Sequence, residues 1–158
     1  MIAQFSMILG PSVTLVPVPR SSLPTKDGLW VPERFAAELV KCGLGKRVAP
    51  LLERTEPIPK AATSISTERP TALMNYRTLR VKRELDDPER IALIDDVVTA
   101  GATMLGSANR LIEAYPNVPV HGFAAARTLT GVTDFRSTID PVVGTIILRP
   151  NGRTHRSP

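Results

Sequence analysis

Apolar and polar positions along the chain fall into short runs that alternate between the signatures of buried strands and of one-sided helices. Val13-Thr-Leu-Val-Pro-Val18 is a compact, β-branched run and predicts a buried strand, stopped by Pro19 and followed by the polar turn Arg20-Ser21-Ser22. From about Trp30 to Val40, Phe35, Ala36 and Leu39 recur at helical spacing, with Pro32 at a tolerated early position and Gly43 placed as a C-terminal cap. This predicts a crossover helix. A short strand is expected at Val48 to Leu52, after which Thr55 to Pro70 is rich in Thr, Ser, Pro and charge, shows no period and reads as a mobile loop.

A further strand is expected at Leu79 to Val81, and the acidic turn Glu84 to Pro88 leads into Ile91-Ala-Leu-Ile94, an uninterrupted apolar run suited to a central parallel strand. Asp95 to Ala102 reads as a loop and Thr103 to Tyr115 as a helix, with Leu105, Ala108, Leu111 and Ile112 on one face. Val118 to Ala125 is the next strand, completing a βαβ unit. Beyond Arg127 the pattern weakens to a Gly/Thr/Asp-rich stretch, a strand at Val143 to Leu148, a Pro-Asn-Gly turn at Pro150 to Gly152 and a basic tail.

The 158 residues fit one domain, 1–158, and suffice for an apolar core without disulfides or metals. With 42% hydrophobic and 22% charged residues the composition is that of an ordinary α/β protein and excludes wholesale disorder. Cys42, the single cysteine, is expected to be a small, partly buried thiol; it cannot form an internal disulfide and has no neighbouring zinc pattern, which points to a reducing compartment. Met1 to Gly10 lacks the basic start of a secretory signal, and Pro and charges interrupt every hydrophobic run before it could span a membrane. A cytoplasmic protein is expected. The net charge of +5 suits nucleic acid and a small polyanionic substrate equally well.

The segment that carries chemistry is Ile91-Ala-Leu-Ile-Asp-Asp-Val-Val-Thr-Ala-Gly-Ala-Thr103, where an apolar strand delivers two carboxylates and a small-residue loop then opens a helix. In open α/β sheets, ligands bind beyond the carboxyl ends of the strands. Val97, Val98, Thr99, Ala100, Gly101, Ala102 and Thr103 are the expected substrate-binding residues, and within them the loop Thr99 to Thr103 can turn several backbone N–H groups toward one point, where the helix dipole and two hydroxyls favour an anion such as phosphate. Gly101 supplies the dihedral freedom this needs. Asp95 and Asp96 are acceptors able to hold the vicinal hydroxyls of a sugar, so the segment describes a ribose 5-phosphate cradle. A solvated acidic turn before a helix would leave both threonines and the glycine unexplained. A receiver domain also pairs acids after a strand, but on its first strand, and this pair lies past the middle of the chain.

This run resembles the phosphoribosyl pyrophosphate (PRPP) signature of type I phosphoribosyltransferases: apolar residues, two acids, then Val-x-Thr-x-Gly-x-Thr. The resemblance covers about Val13 to Arg127 and is closest to the ComF-type branch. It implies a Rossmann-like central parallel sheet flanked by helices, with a small variable hood built from residues 1–10 and 128–158. It also implies transfer of the phosphoribosyl group to a nitrogen nucleophile, a base or an amine, with Asp95 and Asp96 as the catalytic acids orienting the sugar. Mg²⁺ would accompany the pyrophosphate, and the expected assembly is a homodimer.

By the same resemblance, Val16-Pro-Val-Pro19 with Arg20, Ser21 and Ser22 corresponds to the first strand and pyrophosphate loop, a loop that in family members often carries a strained non-proline cis peptide. Thr55 to Pro70 corresponds to a lid over the active site, with Lys60 and Arg69 as pyrophosphate partners. ComF-type proteins usually carry a Cys-rich zinc segment ahead of this domain; nothing similar precedes Val13, so a minimal or truncated member is expected. The rival reading is a non-catalytic PRPP or nucleotide sensor, whose basic clusters Arg77 to Arg83 and Arg149 to Arg156 would meet nucleic acid, a partner not favoured because such clusters are more often solvated surface.

Overall fold

In the computed structural model, residues 5–23, 28–59, 69–129 and 140–157 are described. Four strands form one parallel sheet: β1 (Thr14–Pro17), β2 (Arg47–Val48), β5 (Ile91–Val98) and β6 (Val120–Arg127), in the order β2-β1-β5-β6. Between β2 and β5 in the chain lie β3 (Leu52–Arg54) and β4 (Leu79–Val81), a separate antiparallel pair. The helices are α1 (Val31–Lys41), α2 (Ala72–Arg77) and α3 (Ala102–Ala114), and the described chain closes with an antiparallel hairpin, β7 (Thr145–Leu148) and β8 (Thr154–Ser157). The architecture is α/β, compatible with a Rossmann-like fold. Among the described residues no helix is long and apolar enough to cross a membrane.

Strand periodicity of two divides the core between the two sheet faces. On one side Val16, Val18, Ile91 and Leu93 meet Met104, Leu111 and Tyr115 in and just beyond α3; on the other, Val13, Leu15, Ala92 and Ile94 meet Ala36 and Leu39 of α1. Both faces of β1 and β5 are therefore covered, which is why their apolar runs are continuous.

The strand expected at Val48 to Leu52 is two strands in two different sheets, because Pro50 has no N–H for a ladder and the chain turns out of the parallel sheet there. β5 does not stop at Ile94 but continues through Asp95 to Val98, paired with β6 as far as Val98↔Arg127; β-branched Val97 and Val98 favour extension. The buried side of α3 carries Met104, Ser107 and Leu111, while Ile112 is exposed. That rotation is set by α2, which lies so close that a Cβ on Gly106 would stand 2.6 Å from the Ala72 carbonyl. α2 has no counterpart among the expected elements. Its signal is Thr71, directly after Pro70, whose hydroxyl accepts the Met74 N–H at 3.1 Å as an N-cap. The basic tail contains strand β8, turned back by the Gly152 N–H donating to the Arg149 carbonyl. Cys42 is exposed at the end of α1, not partly buried, because it lies on the side of the last turn that carries exposed Glu38 and Lys41 rather than on the side of buried Leu39.

Candidate functional site

The carboxyl ends of β1 and β5 lie side by side. Pro17 pairs with Ile94, and the Val18 N–H donates to the Ile94 carbonyl at 2.9 Å. Distant in sequence, the Pro19–Ser22 turn and the Asp95–Asp96 pair thus reach the same edge of the sheet because β1 and β5 are parallel neighbours in register.

Asp95 and Asp96 are both half-buried toward the end of β5, and each carboxylate accepts the N–H of the following residue, Asp96 and Val97 respectively, at 3.0 Å. Burial pushes the Asp95 carboxyl up to about 7, and the Asp96 carboxylate beside it pushes the same way; the Asp96 N–H only partly offsets them. Val97 is exposed and Val98 half-buried. Thr99 and Ala100 form the turn, and Gly101 caps α3 in the left-handed region, φ +83°, with no side-chain cap. The first N–H groups of the helix, from Ala102 and Thr103 on, thus lack intrahelical acceptors and point out of its N-terminus.

The C-terminal hairpin braces this turn, a contact for which the sequence carries no signal. Arg156 donates from Nε to the Thr99 carbonyl at 3.0 Å and from Nη2 to the Thr128 carbonyl at 2.7 Å, and Ile146 lies where a Cβ on Gly101 would meet it at 2.5 Å. Arg156→Ala is expected to weaken ribose 5-phosphate binding by about threefold to tenfold, the effect of about 1 kcal/mol in loop order, with Arg156→Lys intermediate. Calorimetric titration checks it; equal affinities would show that the hairpin does not position the turn.

Across the edge, Arg20 is half-buried, its Nη1 donating to the Leu29 carbonyl at 3.2 Å. The Ser21 carbonyl accepts the Ile58 N–H at 2.9 Å, and Ser22 lines a cavity of about 240 Å³ with Arg20, Trp30, Arg54 and Lys82. Every peptide bond among the described residues is trans, and the carbonyls of Arg20 and Ser21 in this turn are tied down by Arg54 and Ile58. Arg69 is exposed just before α2, and Lys60 lies outside the described residues, as does most of the expected lid.

In the Arg77 to Arg83 cluster, Arg80 and Lys82 pair with Glu53, and Arg83 donates to the Ala114 carbonyl and stands over the Tyr115 ring. These charges are engaged within the chain. Among the described residues no group of three or more His, Cys, Asp or Glu side chains is gathered to hold a metal. No family model matches the chain, and no match to it is found among the curated proteins or the solved structures.

Proposed function

We propose that this chain binds PRPP at the carboxyl edge of its parallel sheet and transfers the phosphoribosyl group to a nitrogen acceptor. One observation carries the reading: a pair of carboxylates, a glycine at positive φ and an uncapped helix N-terminus follow one another on β5 and α3, beside the Pro19–Ser22 turn of β1. In this reading the 5-phosphate sits on the N–H groups from Thr99 to Thr103, and Asp95 and Asp96 accept the ribose hydroxyls. Arg20 and the Ser21 and Ser22 backbone face the pyrophosphate.

The bond from ribose C1 to pyrophosphate oxygen breaks as the acceptor nitrogen bonds to C1, and the acceptor's proton passes to solvent. The carboxylates lie close to the positive charge that develops on the ring, where fixed negative charge stabilises it. Among the described residues no third His, Cys, Asp or Glu joins the two adjacent carboxylates, which would suit a Mg²⁺ ion brought with the pyrophosphate and keeping much of its water rather than one caged by the chain. When bound, that ion would neutralise the leaving group. Incubation with PRPP, Mg²⁺ and a panel of bases and amines tests the proposal through pyrophosphate release. Release that depends on one acceptor supports transfer; tight PRPP binding with no release for any acceptor would replace the enzyme by a sensor.

A further inference from the structure

Arg54 ends β3 with only 3% of its surface exposed. Its guanidinium is satisfied by three acceptors from three places: the Arg20 carbonyl at 2.7 Å, Thr78 Oγ1 at 2.6 Å and Asn75 Oδ1 at 3.0 Å. Asn75 is itself fully buried and anchored, its Nδ2 donating to the Thr71 carbonyl at 3.0 Å, and Thr78 Oγ1 donates on to the Met74 carbonyl at 2.8 Å. α2 thus acts as a fixed support on one side of Arg54, with the Arg20 peptide on the other. A buried guanidinium with its fork engaged holds its acceptors in one geometry far better than a lysine would. Nothing in the sequence around Arg54 marks it as buried.

We infer that Arg54 is a positioning residue: seated on Asn75 and Thr78, it fixes the Arg20 carbonyl and so sets the Pro19–Ser22 turn in the shape that receives the pyrophosphate half of the ligand. The inference rests on the PRPP reading of the same edge. It assigns Arg54 no contact with ribose 5-phosphate, whose cradle is built from β5 and α3.

The test is calorimetric titration of the full chain, with Mg²⁺ present, using PRPP, pyrophosphate and ribose 5-phosphate separately. Arg54→Met should weaken PRPP and pyrophosphate about tenfold or more while leaving ribose 5-phosphate within about twofold, since only the turn loses its support. Arg54→Lys should lie between, and Thr78→Val should show a smaller loss with the same selectivity. Thermal melts establish that each variant is folded. If Arg54→Met does not fold, the decision passes to the other two, and pyrophosphate affinity equal to the parent's in both would overturn the assignment. A uniform loss for all three ligands would also overturn it, because it marks a general structural role. A parent chain that binds neither PRPP nor pyrophosphate would instead refute the PRPP reading, a result distinct from a parent that binds both and variants that match it.

Discussion

Asp95→Asn is expected to raise stability at pH 8 while impairing ligand binding. In the folded chain, burial first and the Asp96 carboxylate second lift the Asp95 carboxyl from 3.8 to about 7. The folded state therefore holds this proton more tightly than the unfolded state does. Below the unfolded value both states are protonated, and the stability of the neutral, buried group is fully present. As pH rises from about 4 to about 7 the unfolded state gives up its proton freely while the folded state must keep it or bury a charge, so stability falls; above about 7 the loss is complete. The shift sets a ceiling of about 4 kcal/mol, and solvent screening with water entry at this half-buried position brings the expected gain from Asn to about 1–2 kcal/mol. Urea melts of parent and variant at about pH 3 and pH 8 should coincide at the first, below the unfolded value, and separate at the second, with Asn the more stable. Ribose 5-phosphate affinity should fall about tenfold or more, the loss of a charged acceptor. An Asn variant less stable than the parent at pH 8 would mean that the carboxylate serves the fold rather than a ligand.

Gly101→Val combines two separate costs. The residue has φ +83°, which a β-branched side chain adopts at a cost of about 1–2 kcal/mol or more. Its new Cβ would also stand 2.5 Å from Ile146 Cδ1, so the hairpin must shift, an overpacking cost of about 1–3 kcal/mol. Stability should fall by about 2–5 kcal/mol in total, and ribose 5-phosphate affinity by about thirtyfold, the equivalent of two lost N–H contacts. Adding Ile146→Ala separates the effects: it should recover part of the stability by relieving the crowding, but not the affinity, which depends on the backbone of the turn. Normal ribose 5-phosphate binding by Gly101→Val would place the anion elsewhere.

Whatever a continuous local run encodes is legible in the sequence. β1 and β5 stand out because apolar runs covered on both faces differ from everything around them, β6 because its apolar residues follow a helix, and the Asp95 to Thr103 segment because its residue types are contiguous. The end of β5 escapes because acids read as a loop, whereas pairing with Ala124, Ala126 and Arg127 of β6 extends the strand past them. Such pairing is a tertiary fact. Arg54 and Arg156 escape for the same reason: a charged residue in a short strand carries no local mark of being buried, or of reaching a carbonyl 57 residues away, as Arg156 does at Thr99. The hydrogen bonds that hold the Pro19–Ser22 turn come from Arg54 and Ile58, residues the motif does not include.

Calorimetric titration of PRPP into the folded chain with Mg²⁺ present decides whether this sheet edge is a PRPP site. One site per chain is expected, with PRPP bound more tightly than ribose 5-phosphate or pyrophosphate alone because it engages both the β5–α3 cradle and the Pro19–Ser22 turn, and with that affinity reduced about tenfold or more by Asp95→Asn. Absence of PRPP binding by the folded parent, or binding that Asp95→Asn and Gly101→Val both leave unchanged, would contradict it.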